Sequence, residues 1–162
     1  DQKEQKFFKG PSTPDNIAKL LPVWLSGDEV VGLVFGEPPW GGCFTRGAAR
    51  LFIDRDKAGY RVECDAPPGR GWQRDVYEID PRTLAVLETG RLRADGSLGH
   101  RIRFSDHALV LGVLVPKRIQ YENKSKEVDI LIKVFEAELN EKYEPGTFEL
   151  EAPRGVPTIE VK

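Results

Sequence analysis

His100 and His107 are the only histidines in this chain of 162 residues, and Asp106 stands beside the second. A zinc centre or a general base needs a third side chain held with them. None is spaced to join them, so both read as satisfied or rim histidines. His100 alternates with Ile102 and Phe104, on the face expected to point inward. Cys43 and Cys64 are the only cysteines. Cys64 alternates with Val62 and Tyr60, the pattern of a small buried filler, not of an activated thiol. The stretch "GEPPWGGC" lacks the Lys-Ser/Thr pair of a phosphate loop and reads as a structural loop. Asp54 and Asp56 fall in an expected turn, where carboxylates favour the turn itself. No nucleophile–base pair or metal set emerges, so the expectation is a protein without enzymatic activity, cofactor or metal.

The aromatic residues carry more. Trp24 sits between two expected helices, Trp40 in a loop and Trp72 at the start of a strand. They can line or gate an apolar cleft, or anchor core and loops; residue type alone leaves both readings open.

The elements that would position these residues change character along the chain. "KEQKFFKG" reads as the tail of a strand. "STPDNIAKLLP" reads as a short helix, with Thr13 as its cap, Pro14 at its first position and Asp15 near its positive end. "SGDEVVGLVFG" reads as a second helix, with Ser26 and Glu29 as a capping box and Gly36 as its stop. From Cys43 onward the apolar period becomes two. Pairing "AARLFID" with "YRVECD" sets Leu51 near Val62 and Ile53 near Tyr60. A two-residue Asp95-Gly96 loop sets Leu87 opposite Phe104, Thr89 opposite Ile102 and Glu88 opposite Arg103. Ile119, Tyr121, Val128, Ile130 and Ile132 share a face across "NKSK". "TFELEAP" reads as a closing strand with Phe148 and Leu150 inward, and Pro153 and Pro157 blunt the edge after it.

The same hairpin register sets Cys64 level with Ala49, six residues from Cys43. An extended strand would hold the two cysteines about 20 Å apart, beyond bridging distance. A disulfide therefore needs Gly41, Gly42 and Gly47 to bend the chain back.

The fold expected is mainly β (α+β). Its curved antiparallel sheet forms an unclosed half-barrel covered by the short helices, in one domain spanning 1–162. The net charge of -2 gives no electrostatic case for nucleic acid. Arg61, Arg70, Arg74, Arg82, Arg91, Arg93, Arg101 and Arg103 are interleaved with Glu63, Asp65, Asp75, Glu78, Asp80 and Glu88, as on a solvated sheet face. No apolar run reaches the length of a membrane span. Without Met at position 1 the chain reads as a processed or excised piece, with any signal or lipid-attachment cysteine upstream of Asp1.

Residues 104–156 resemble the end of the outer-membrane lipoprotein carrier and receptor superfamily (LolA- and LolB-like proteins), and within it a lipoprotein branch. The resemblance rests on Pro116 and Ile119 before a hairpin, and on the alternation of Ile130, Ile132 and Val134 toward Asn140. Phe148, Leu150, Pro153, Gly155 and Val156 complete it as "F-x-L-x-x-P-x-G-V". Residues 10–36 are similar to that branch's helical insertion. The resemblance places the chain on the C-terminal two-thirds of such a protein, with its first strands missing. It implies a binding protein that shelters an acyl chain or other lipid in an apolar cavity, with lipoprotein localisation as an implied role. It would be lipid-anchored at the periplasmic face of the outer membrane of a Gram-negative bacterium, or soluble in the periplasm. Its partners would be acyl chains of lipoproteins or other lipids, with envelope proteins as further partners. The alternative is a structural or assembly lipoprotein that uses the fold as a protein-interaction scaffold. The residues expected to line the cavity are Trp24, Val34, Leu51, Val62, Ile102, Phe104, Ile119, Tyr121, Ile130 and Ile132.

Overall fold

Alternating apolar and polar side chains from residue 50 onward build a sheet of seven strands that follow one another in space as in sequence. The computed structural model describes residues 6–40, 49–56, 58–66, 71–139 and 141–161. The strands of this sheet are β2 (Arg50–Asp54), β3 (Gly59–Asp65), β4 (Trp72–Ile79), β5 (Val86–Arg93), β6 (Leu98–Val110), β7 (Val113–Asn123) and β8 (Val128–Lys133). Each pairs antiparallel with the next, and β2 and β8 are the ends of the order, so the sheet does not close. Before it come β1 (Phe7–Lys9), α1 (Pro14–Leu20) and α2 (Gly27–Val34), and after it β9 (Thr158–Glu160). The mainly β, unclosed antiparallel architecture is the one the patterning dictates.

The register follows from which residues need burial. Leu51 pairs with Val62 and Ile53 with Tyr60. Thr89 pairs with Ile102 and Glu88 with Arg103. The β5–β6 loop departs from a two-residue turn. A bulge between Arg91 and Leu92 shifts the pairing by one residue, so that Leu92 faces Leu98. The Arg93 N–H then donates to the Ser97 carbonyl at 2.9 Å, and Gly96 takes a φ of +78°.

The outward face is a net of charge. Arg61 contacts Glu63 at 2.8 Å and Glu78 at 3.0 Å, and Arg74 contacts Glu63 at 3.2 Å. Arg101 and Arg103 bracket Glu88 at 3.1 and 3.4 Å, and Arg103 also reaches Glu122 at 2.9 Å. Partial burial pushes the Glu63 carboxyl up, but Arg61 and Arg74 together hold it below the usual carboxylate range. These arginines are committed to neighbouring carboxylates, as on a solvated sheet face. Arg70 lies outside the described residues.

Two compact units result, Asp1–Asp28 with Glu138–Lys162, and Glu29–Ala137. In the first, β1 pairs parallel with β9, Phe7 facing Thr158 and Lys9 facing Glu160. Thr13 caps α1 by accepting from the Asn16 N–H at 3.3 Å, and Pro14 occupies the first turn. The expected closing strand is absent: residues 145–148 form a turn and Glu149 and Leu150 take no regular structure, with Phe148 78% and Leu150 83% exposed. The Thr147 N–H donates to the Glu144 carbonyl and the Glu149 N–H to Gly146, so the backbone bonds locally and no ladder forms. Phe148 packs its ring edge-on to Tyr143, centroids 5.0 Å apart, instead of entering a sheet. In the second unit, beyond the end of α2 at Val34, Gly36 stops the helix: its φ of +78° lets its N–H reach the Leu33 carbonyl while the Glu37 N–H reaches Gly32.

Candidate functional site

The pairing registers place side chains of the larger unit's inner face in rows that run across the strands. One row is Leu51, Val62, Tyr77, Thr89, Ile102, Tyr121 and Ile130. A second carries Ile53, Tyr60 and Ile79 on β2–β4, and Phe104, Ile119 and Ile132 on β6–β8. Of the ten residues expected to line a cavity, eight therefore share this face. Val62, Ile102, Phe104, Ile119 and Tyr121 are buried, with Ile102 and Ile119 at 0% exposure. Ile130 and Ile132 are half-buried, and Leu51 on the edge strand is 66% exposed. Val34 lies in α2 and is half-buried. Trp24 belongs to the other unit and is 39% exposed.

The same face has a polar end. Cys64 faces Asp75, Asp75 faces Arg91 and Arg91 faces His100 along a third row. Arg91 Nε donates to Asp75 Oδ1 at 2.8 Å, and both side chains are almost fully buried. The Arg91 guanidinium lies 4.2 Å from the centre of the Trp40 ring, a cation–π contact away from water. Trp40 is fixed through its backbone too: its N–H donates to Glu29 Oε1 at 3.3 Å, and its carbonyl accepts from the Tyr77 hydroxyl at 3.4 Å. Its φ of +69° is a backbone conformation that a bulky side chain rarely adopts, and these contacts hold it there. Trp40 is thus a structural cover for an ion pair. Asp75 and Arg91 are the inward-facing residues that composition conceals, because a count of charges assigns them to the outer net. Parity finds them: each lies two residues from an inward neighbour, Tyr77 or Thr89.

His100 sits at the centre of this aromatic group. Its Nδ1 is 2.7 Å from the Tyr121 hydroxyl, and its ring meets Trp72 edge-on with centroids 4.8 Å apart. Burial drives its pKa down to about 4, and the charges of Arg91, Lys126 and Arg93 add to the shift. Neutral imidazole is the resident form at neutral pH. A base with a depressed folded pKa destabilises the fold only when the unfolded chain takes up protons that the folded chain refuses. Stability should therefore be flat above pH 6.5 and decline from there toward about pH 4. The loss, discounted for partial solvent exposure, is about 1–2 kcal/mol. Urea titrations at stepped pH should show this limb, and His100→Gln should flatten it; an unchanged limb in the variant would assign the slope to other groups.

Cys64 is 1% exposed and disulfide-bonded. The separation expected for the two cysteines concerns Cys43, which lies outside the described residues together with glycines 41, 42 and 47. Among the described residues no cluster of three or more His, Cys, Asp and Glu is gathered for a metal ion. No helix among them is long and apolar enough to cross a membrane. His107, which faces Pro116 across the β6–β7 pair, is far along β6 from His100. The arrangement supplies an apolar surface with a neutral, hydrogen-bonded and ion-paired end.

No family profile matches the chain, and no curated protein does so either. Among solved structures, the chain is similar to a DUF1329 family protein from Desulfovibrio piger (16% identity, TM-score 0.42, 51% of this chain and 35% of that one). It is also similar to a putative outer membrane lipoprotein-sorting protein domain from Vibrio parahaemolyticus (13% identity, TM-score 0.41, 56% of this chain and 42% of that one). A LolA superfamily protein from Nitrosomonas europaea is similar at 18% identity and a TM-score of 0.40, over 53% of this chain and 43% of that one. The match therefore spans less than half the length of each of these chains.

Proposed function

We propose that the inner face of the seven-stranded sheet holds an acyl chain or similar lipid, without chemistry. The observation that carries this reading is the continuity of one apolar face from a filled centre to an open margin. Ile102 and Ile119 are fully buried, whereas Leu51 and Ile53 on β2 are 66% and 72% exposed. A flexible chain laid along that margin removes Leu51 and Ile53 from water without displacing the packed centre. Each methylene buried contributes about 0.8 kcal/mol, so affinity needs no polar recognition motif. At the polar end the half-buried His100, beside Trp72, is the group nearest to hand for a head group. An oxidising envelope compartment, the periplasm or the periplasmic face of the outer membrane, accords with the disulfide at Cys64.

The test is twofold. Organic extracts of the purified protein are analysed for lipid by mass spectrometry, and a fluorescent fatty acyl probe is titrated. Saturable binding is expected, and Leu51→Glu, at an exposed position, should weaken it about tenfold while the thermal transition stays in place. A protein free of lipid that ignores the probe would refute the proposal.

A further inference from the structure

The edge strand β2 reads Arg50-Leu51-Phe52-Ile53-Asp54. Among the described residues it pairs with β3 alone, in unbroken register over all five positions. Sheet edges in water are ordinarily blunted by Lys, Pro, a bulge or a covering segment. β2 contains no Lys, Pro or bulge. Instead Leu51, Phe52 and Ile53 are 66%, 45% and 72% exposed, which makes both faces of the edge apolar.

The charges at its two ends give the edge a partner. Placed antiparallel against itself about a two-fold axis through Phe52, the strand sets Arg50 opposite Asp54 of the second copy and Leu51 opposite Ile53. Phe52 then faces its own counterpart, and Asp54 faces Arg50. Both charged pairs are opposite in sign, and both fall on one face, because Arg50, Phe52 and Asp54 alternate with Leu51 and Ile53. Arg50 already contacts Asp65 at 3.0 Å on that face, and Asp54 accepts from the Asp56 N–H at 3.1 Å, so both groups are held near the strand ends. An isologous contact requires this self-complementarity. The opposite edge lacks it: antiparallel self-pairing of β8, Val128–Lys133, would set Val128 against Lys133 and Asp129 against Ile132.

We infer that β2 is a self-association edge, through which a second copy of this chain pairs antiparallel to continue the sheet across a two-fold axis. The inner faces of the two copies then adjoin along Leu51 and Ile53. The pairing uses the backbone edge and does not depend on any lipid.

Sedimentation equilibrium and a charge-exchange series test it. The wild-type chain should form a dimer. Arg50→Asp alone sets Asp against Asp54 at both ends, and Asp54→Arg alone sets Arg against Arg50; each should raise the dimer Kd at least about tenfold. Mixed in equal amounts, the two variants carry opposite charges at every contact and should recover as a heterodimer, which also shows that both are folded. Phe52→Lys should be monomeric with an unchanged circular dichroism spectrum. A wild-type chain that stays monomeric, a dimer indifferent to the single charge reversals, or a mixture that fails to recover would each overturn the inference. A monomer that still binds the acyl probe would remove the edge pairing and leave the inner-face reading standing.

Discussion

Asp75→Asn should lower the stability of the larger unit by about 3–5 kcal/mol, the cost of leaving a buried cation without its counter-charge. The side chains of Arg91 and Asp75 are 8% and 3% exposed, and the bond between them is 2.8 Å. Asn preserves the shape and can still accept a hydrogen bond, so packing changes little and the charge is what is removed. Trp40 lies over the guanidinium and limits the water that could replace the carboxylate. Replacing both partners by apolar residues, Asp75→Leu with Arg91→Met, should recover most of the loss, because desolvation of the pair offsets much of its attraction. Urea midpoints of the two variants decide the matter. A loss under about 1 kcal/mol for Asp75→Asn would show that water reaches the guanidinium.

Gly99→Ala should cost about 2–3 kcal/mol, although it adds a single methyl group. A Cβ on Gly99 would lie 2.2 Å from Cζ3 and 2.5 Å from Cη2 of Trp72. That indole is no flexible tail: its ring is packed edge-on against His100, and Arg93 lies 5.4 Å from its centre. Gly99 lies at the β5–β6 bulge, where Arg91 pairs with His100 and Leu92 already pairs with Leu98. The bulge and the glycine together make the seat for Trp72. A fall in melting temperature of about 8 °C or more is expected for a unit of this size. Adding Trp72→Leu to Gly99→Ala should restore part of it, since the obstructing ring is gone. If Gly99→Ala melted like the wild type, the seating of Trp72 on this glycine would be wrong.

The sheet was legible because its alternation leaves one choice of register. A slip of β6 by one residue against β5 would turn Arg103 inward and expose Ile102. The start of α1 was equally legible, since Thr13, Pro14 and Asp15 each favour it for a separate reason. Residues 147–150 misled by the same logic: Thr-Phe-Glu-Leu alternates like a strand, yet alternation states only that a strand would be amphipathic. It does not supply a partner, and Gly146, at a φ of +86°, turns the chain first. The β1–β9 pair joins residues about 150 positions apart through three-residue strands, too short to show a period. Eight cavity-lining candidates were legible as one face, because strand parity and register place them there. The polar end was not, because Asp75 and Arg91 resemble their outward neighbours in composition and differ only in phase.

The most direct test of the central claim places a quencher on the ligand. Trp40 and Trp72 mark the polar end of the inner face, and Trp24→Phe leaves them as the only indoles in the chain. Fatty acids spin-labelled at successive carbons are titrated into this variant, and tryptophan fluorescence is followed. An acyl chain on the inner face predicts saturable quenching, strongest for labels near the carboxylate and falling toward the methyl end. Quenching that never saturates, or that is the same for every label position, would contradict a lipid held on this face.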